Sequence, residues 1–186
     1  MPGGTEPARI RGMGRMVARL AIVLGVLIAS TAVVATSAQA VNDGDVTTLR
    51  SWTQGMCLDT NSFDVYNHVC VHNDVNQLWK FEFYGWWEVY GEGFLKIMRV
   101  RSVAFNGRCL DSDYNGHVYV NPCQDPNYWQ KWIVNDFIDV QNHRVLNLED
   151  RNTHYCLDSN LPWLNPYTRN GCYSGGYQDW VFGYRP

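Results

Sequence analysis

Cys57-Leu58-Asp59-Thr60-Asn61 returns as Cys109-Leu110-Asp111-Ser112-Asp113 and again as Cys156-Leu157-Asp158-Ser159-Asn160. Each copy is followed by a second cysteine, Cys70, Cys123 and Cys172, which comes 13, 14 and 16 residues later. Then comes Gln-x-Trp, with Gln77 and Trp79, Gln130 and Trp132, Gln178 and Trp180. The first cysteines are 52 and then 47 residues apart. Three landmarks matched three times define an internal repeat, with units of about 46–93, 94–141 and 142–186. Repeats of this kind bury their apolar faces against one another.

The sequence around the motif reads as short strands. Strand-like segments, Val46 to Trp52, Leu95 to Phe105 and Arg144 to Leu148, precede each Cys-Leu-Asp. After Gln-x-Trp the pattern alternates, with Trp79, Phe81 and Phe83 on one face and Lys80, Glu82 and Tyr84 on the other. Trp132 with Val134, and Trp180 with Phe182, repeat it more briefly. Clusters of Gly, Asn, Asp and Pro separate these runs, which predicts an all-β domain. Gly85, Gly91 and Gly93 mark turns, with Glu88 to Tyr90 as a hairpin strand between them. The third unit has the least sequence after its motif, so Val46 to Trp52 is expected to supply its closing strand. Val41 to Asp45 reads as a frayed start.

The 186 residues are not all mature protein. Arg9, Arg11, Arg15 and Arg19 precede an apolar run from Leu20 to Ala35, and Ala38-Gln39-Ala40 is the small-x-small pattern of a signal peptidase site. Residues 1–40 are therefore expected to be a secretory signal peptide, and 41–186 a single secreted, extracellular domain. The apolar run is short for a membrane anchor and lacks a basic stop. Removing the leader's four arginines and one glutamate leaves 11 basic and 17 acidic residues, a net charge of −6. An acidic secreted domain is a poor nucleic-acid binder.

All six cysteines lie in the mature part, and export with an even count argues for disulfides. Repeat symmetry selects Cys57–Cys70, Cys109–Cys123 and Cys156–Cys172 from the 15 possible connectivities. No Cys-x-x-Cys or Cys/His pair at zinc spacing occurs, so no metal and no cofactor are expected. Trp79, Trp132 and Trp180 read as core. Gln77, Gln130 and Gln178 have two readings, bracing a loop through backbone groups or touching a ligand. Asp59, Asp111 and Asp158 also have two. They could accept turn amides. As carboxylates on stapled loops they could instead take paired sugar hydroxyls. Tyr66, Tyr119 and Tyr167 stand before the second cysteines as rings for a sugar's apolar face, and His68, Asn121 and Asn170 as polar partners.

The Cys-Leu-Asp … Gln-x-Trp triplication resembles the ricin-type β-trefoil lectins, across essentially the whole mature chain. The segments Gly107 to Ser112, Val118-Tyr119 and Tyr128 to Trp132 are similar to small secreted actinobacterial members. The resemblance implies twelve strands in three four-stranded units and up to three shallow sugar pockets. In that family each pocket uses the Cys-x-Asp aspartate, an aromatic two residues before the second cysteine, and an Asn before the Gln of Gln-x-Trp. All three aspartates match. Only the first repeat keeps the Asn, as Asn76; Trp129 and Tyr177 stand in its place elsewhere. His68, Asn121 and Asn170 replace the aromatic.

No catalytic motif is present, neither Gly-x-Ser-x-Gly nor His-Glu-x-x-His, and the aspartates recur by symmetry rather than as a facing pair. The sequence therefore reads as a monomeric, non-enzymatic lectin binding glycans or polysaccharide, with no membrane span after cleavage. The alternative is a protein-binding or inhibitor-type trefoil that uses Trp86, Trp87 or Trp163 on exposed turns.

Overall fold

A computed structural model describes residues 41–91, 93–138, 144–160, 165–172 and 175–183. The expected leader and Trp163 lie outside the described residues.

The first repeat contains β1 (Val46–Thr47), β2 (Leu49–Ser51), β3 (Cys57–Thr60), β4 (Val65–His68) and β5 (Trp79–Val89). The second runs through β6 (Gly93–Ser102), β7 (Arg108–Ser112), β8 (Val118–Pro122) and β9 (Trp132–Ile138). The third has β10 (Arg144–Asp150), β11 (Tyr155–Asp158), β12 (Tyr167–Asn170) and β13 (Trp180–Phe182). A single turn of 3-10 helix precedes β5 and β9, at Val75–Gln77 and Tyr128–Gln130.

The pairing closes on itself. β1 and β2 are one strand interrupted at Thr48, with β1 pairing β5 and β2 pairing β13. Between them the order is β5–β6–β9–β10–β13, giving a closed barrel that leaves no open edge. Hairpins β3–β4, β7–β8 and β11–β12 branch from β2, β6 and β10. Six barrel strands plus three hairpins, repeated about a pseudo-threefold axis, make a β-trefoil. The interrupted first strand is why thirteen segments appear where the resemblance implies twelve.

The hairpins also touch one another. Phe63 O accepts from Val120 N–H at 2.9 Å, and Gly116 O accepts from Thr168 N–H at 2.8 Å. At this second junction a side chain on Gly116 would place its Cβ 2.6 Å from Thr168 O, and its φ is +83°, so both space and backbone demand glycine.

Trp79, Trp132 and Trp180 are fully buried at equivalent barrel positions, within a core that includes Leu58, Leu110, Leu157 and Phe81. A ring of that size removes roughly 200 Å² from water, about 5 kcal/mol of gross transfer free energy each.

Two readings of the sequence change. Gly85 is not a turn: β5 continues through it, and the register slips between Phe83 and Gly85 as a bulge. The extra residue shifts the pairing by one, so one 11-residue strand replaces two shorter ones. Val41 to Asp45 is not frayed either. Gly44 N–H donates to Phe81 O and Phe81 N–H to Asp45 O, both at 2.8 Å, which fastens this segment to β5.

Candidate functional site

Hairpin register places the three aspartates in equivalent surroundings. Asp59 lies opposite Tyr66, Asp111 opposite Tyr119, and Asp158 opposite Tyr167. Residues directly opposite in an antiparallel pair project to the same face. The three disulfides pair Cys57 with Cys70, Cys109 with Cys123 and Cys156 with Cys172, with Cα separations of 5.0, 5.1 and 5.2 Å. Each staples the loop after its hairpin to the hairpin's own first strand.

Gln-x-Trp locks that loop from below. The indole N–H groups of Trp79, Trp132 and Trp180 donate to the carbonyls of Leu58, Leu110 and Leu157 at 3.0, 3.1 and 3.1 Å. Gln77 Nε2 donates to Asp59 Oδ2 at 2.9 Å and to Val69 O at 2.8 Å, while its Oε1 accepts from Val71 N–H at 2.9 Å. Gln130 makes the same three bonds, to Asp111 Oδ2 at 2.8 Å, to Pro122 O at 3.0 Å and from Gln124 N–H at 2.9 Å. Gln178 reaches Asp158 Oδ2 and Gly171 O, each at 3.2 Å. The two halves of the motif are therefore partners in space: Trp holds the Leu carbonyl and Gln holds the Asp carboxylate.

This arrangement revises the ligand reading of the glutamines. Gln77 and Gln130 are 0 % exposed and Gln178 is 3 % exposed, with their amides committed to protein groups. They support the aspartates from inside, through those amides.

The aspartates themselves are 2 % exposed. In the first repeat, Asp59 Oδ2 takes the Gln77 bond and lies 3.5 Å from His68 Nδ1. Its Oδ1 is buried, and the Tyr66 hydroxyl interacts with this carboxylate without closing a full hydrogen bond to Oδ1. Leaving a buried acceptor unpaired costs about 1–3 kcal/mol, so a donor is drawn to it. Tyr66 stands beside it, edge-on to His68 at 6.3 Å. Burial and then the Asp59 charge raise the Tyr66 pKa, keeping its hydroxyl protonated. Asn76 sits half-buried on the 3-10 turn, where its backbone N–H is capped by Asp74 Oδ1 at 3.0 Å. Among the described residues no bond joins its side chain to Asp59.

The second repeat holds its aspartate more tightly. Besides Gln130, Asn121 Nδ2 and Asn127 Nδ2 donate to Asp111 Oδ2 at 3.4 and 3.3 Å. Burial raises the Asp111 carboxyl above its usual 3.8, and these bonds pull it partly back. The Tyr119 hydroxyl donates to Ser112 O at 3.1 Å, and burial followed by Asp111, Asp113 and Asp150 pushes its pKa up to about 12. Trp129, in the place of Asn76, packs edge to face on Tyr114 with ring centroids 4.5 Å apart. Tyr114 is exposed on the hairpin turn and Trp129 is half-buried, so the pair forms an aromatic wall beside the Asp111 loop.

In the third repeat, counting back from the second cysteine misleads. Cys57 pairs with His68 and Cys109 with Asn121, but Cys156 pairs with Arg169. Asn170 lies opposite Tyr155, one step out of register and exposed. An extra residue between β12 and Cys172 causes the slip. Asn170 is therefore corrected to Arg169, which also restores Tyr167 to full equivalence with Tyr66 and Tyr119. Burial raises the Asp158 and Tyr167 pKa values; Gln178, Tyr167 and Arg169 draw the Asp158 value back. Asp158 Oδ1 is buried, with the Tyr167 hydroxyl interacting with the carboxylate without closing a full hydrogen bond to Oδ1, and Tyr177 is exposed in the place of Asn76.

Asn127, Tyr114 and Arg169 also stand around the candidate site without having been singled out in the sequence, and Trp129 was noted only as standing in the place of Asn76. Asn127 had a signal: Asp74 and Asn127 both stand three residues before the motif glutamine, and both cap the 3-10 turn. Trp129 had its position before the motif glutamine, but its contact with Tyr114, 15 residues away, had no signal. A groove of about 490 Å³ is lined by Leu95, Phe137, Glu149 and the Cys156–Cys172 disulfide, and none of the three aspartates lines it. The repeated aspartates define the candidate site because they recur in equivalent surroundings in all three repeats.

Scans of the sequence against protein-family models and against curated proteins find no match. Solved structures do match in fold. ThreeFoil, a designed threefold-symmetric protein, aligns over 74 % of this chain and 97 % of its own, with 16 % identity and a TM-score of 0.54. The Macrolepiota procera ricin B-like lectin, solved in complex with lactose, aligns over 78 % and 99 %, with 18 % identity and a TM-score of 0.53. The Polyporus squamosus lectin, solved bound to a human-type influenza-binding epitope, aligns over 77 % of this chain but 50 % of its own, with 18 % identity and a TM-score of 0.58. Identities this low establish the shared β-trefoil fold.

Proposed function

We propose that residues 41–186 form a secreted, non-catalytic carbohydrate-binding domain, similar in kind to ricin-type lectins, with up to three shallow pockets at Asp59, Asp111 and Asp158. One observation carries this reading. An Asp–Tyr cross-strand pair recurs three times on a disulfide-stapled hairpin, with the carboxylate braced from beneath by a buried glutamine. In the first and third repeats Oδ2 of the carboxylate accepts from the glutamine, which leaves the buried Oδ1 of Asp59 and of Asp158 as the acceptor a sugar hydroxyl would reach. The Tyr114–Trp129 wall offers the second pocket the apolar surface that a pyranose ring needs. The lactose and influenza-epitope complexes of fold neighbours support the same reading. Weak single pockets acting together would bind polysaccharide or cell-surface glycan by multivalency. The chain is proposed to act as a monomer without nucleic acid, and among the described residues no helix is long and apolar enough to cross a membrane.

A glycan array on residues 41–186 tests this, followed by titration of the bound sugar against Asp59→Ala, Asp111→Ala and Trp129→Ala. Binding that persists in the triple Asp59→Ala, Asp111→Ala, Asp158→Ala variant would remove the assigned pockets.

A second reading has one observation in its favour. The β5–β6 ribbon exposes Trp86 at 58 % and Tyr90 at 99 %, with Phe94 beside them. Trp87 instead tilts against the His154 ring at 5.2 Å. A protein-binding trefoil using this ribbon would form a complex that free sugars do not displace and that Trp86→Ala weakens.

A further inference from the structure

We propose that Val41 is the mature amino terminus and that its ammonium group is a structural part of the barrel, seated as an ion pair on the carboxylate of Asp136. The inference rests on the expected leader and is independent of sugar binding. Val41 directly follows Ala38-Gln39-Ala40. Chain starts are ordinarily loose, yet Val41, with the preceding residue still attached, is 1 % exposed and belongs to the hydrophobic core. Its backbone nitrogen donates to Asp136 Oδ2 at 2.9 Å, and its carbonyl accepts from Lys96 Nζ. The next residues are fixed as firmly. Asn42 N–H donates to Asp45 Oδ2 and Phe83 N–H to Asp43 Oδ1, both at 2.8 Å.

The Asp136 carboxylate, 95 residues away in sequence, accepts from this nitrogen as Asp45 and Asp43 accept from neighbouring amides, and it would accept equally from an ammonium. Cleavage produces that ammonium. Hydrolysis adds water across the Ala40–Val41 amide. The hydroxyl goes to the Ala40 carbonyl carbon, which becomes a carboxylate after losing a proton. The nitrogen takes the hydrogen of that water and one proton from solvent, becoming an ammonium. The existing bond then becomes charge-assisted, roughly twice as strong as a neutral one. A groove of about 300 Å³ lined by Trp86, Phe94, Leu95, Val134 and Asp136 adjoins Val41 and leaves room to hydrate the remaining ammonium protons. Lys96 on the neighbouring carbonyl completes an alternation of charges that holds the first residue from both sides. Removal of the leader would thus add a stabilising contact to the exported fold.

The test begins with the exported protein, whose amino terminus is read by intact mass and terminal sequencing. Thermal unfolding is then compared for four proteins: the mature form, its Asp136→Asn variant, and both again behind a Gly-Ser-Gly extension that turns the Val41 nitrogen back into an amide. The expected result is a mature chain beginning at Val41, with Asp136→Asn lowering its melting temperature by on the order of 5 °C and the extended protein by less than half as much. If Asp136→Asn does not fold, the extension alone must lower the melting temperature of the otherwise unchanged protein. A terminus at another residue, equal losses in both backgrounds, or an extension without effect overturns the proposal.

Discussion

Replacing Gln130 by alanine separates a brace from a ligand contact. The side chain is fully buried and makes three hydrogen bonds, to Asp111 Oδ2, to Pro122 O and from Gln124 N–H. The two backbone partners are part-buried, so water recovers some of their loss, and about 1 kcal/mol per bond is the appropriate scale. The total is about 3 kcal/mol. With a urea dependence of roughly 2 kcal/mol/M for a domain of this size, the unfolding midpoint should fall by about 1.5 M with an unchanged slope. Equilibrium urea unfolding followed by tryptophan fluorescence, disulfides intact, measures this. Gln178→Ala should lose less at its contacts to Asp158 and Gly171, because those two bonds are longer at 3.2 Å. Sugar binding by Gln130→Ala at low denaturant should weaken only as far as Asp111 loses its orientation. An unchanged midpoint together with abolished binding would refute the reasoning, since it would make Gln130 a ligand contact after all.

Three further outcomes follow from the same geometry. Gly116→Ala forces a side chain toward Thr168 O at a φ of +83° and should cost about 2 kcal/mol, read as a lowered melting temperature. Replacing Cys57 and Cys70 together by serine should cost about 3 kcal/mol by releasing a short loop in the unfolded chain, measured by the same urea titration. Binding at the second pocket needs ionised Asp111, whose pKa lies above 3.8 because of burial. Its affinity should therefore fall with decreasing pH earlier than a free aspartate would dictate. The sign for folding is opposite: a raised carboxyl pKa favours the protonated form in the folded state, so this group withdraws stability as pH rises through its pKa. Calorimetric titration of a second-pocket ligand across the acid range, with Asp111→Ala as the blank, checks the binding half.

The triplication made the fold legible because each landmark is local. Cysteines 13 to 16 residues apart can be paired from repeat symmetry, and Trp79, Trp132 and Trp180 announce a core by recurring at one position on alternating strands. The aspartates and the tyrosines Tyr66, Tyr119 and Tyr167 were likewise visible, since spacing preserves them. Three features were not. Register is a property of two strands, so a single inserted residue before Cys172 hid Arg169 and misplaced Asn170. Burial is a property of the whole core, so the same Gln that reads as a possible ligand contact proves to be an internal brace. Contacts between distant residues leave no periodic trace: Tyr114 meets Trp129 through a turn and a helix cap, and Val41 meets Asp136 across 95 residues. The sequence alone determined the threefold scaffold, because its bonds and periods are short-range. Only the tertiary structure decided which face each polar group turns to, because that depends on pairing and packing between segments that the chain order does not bring together.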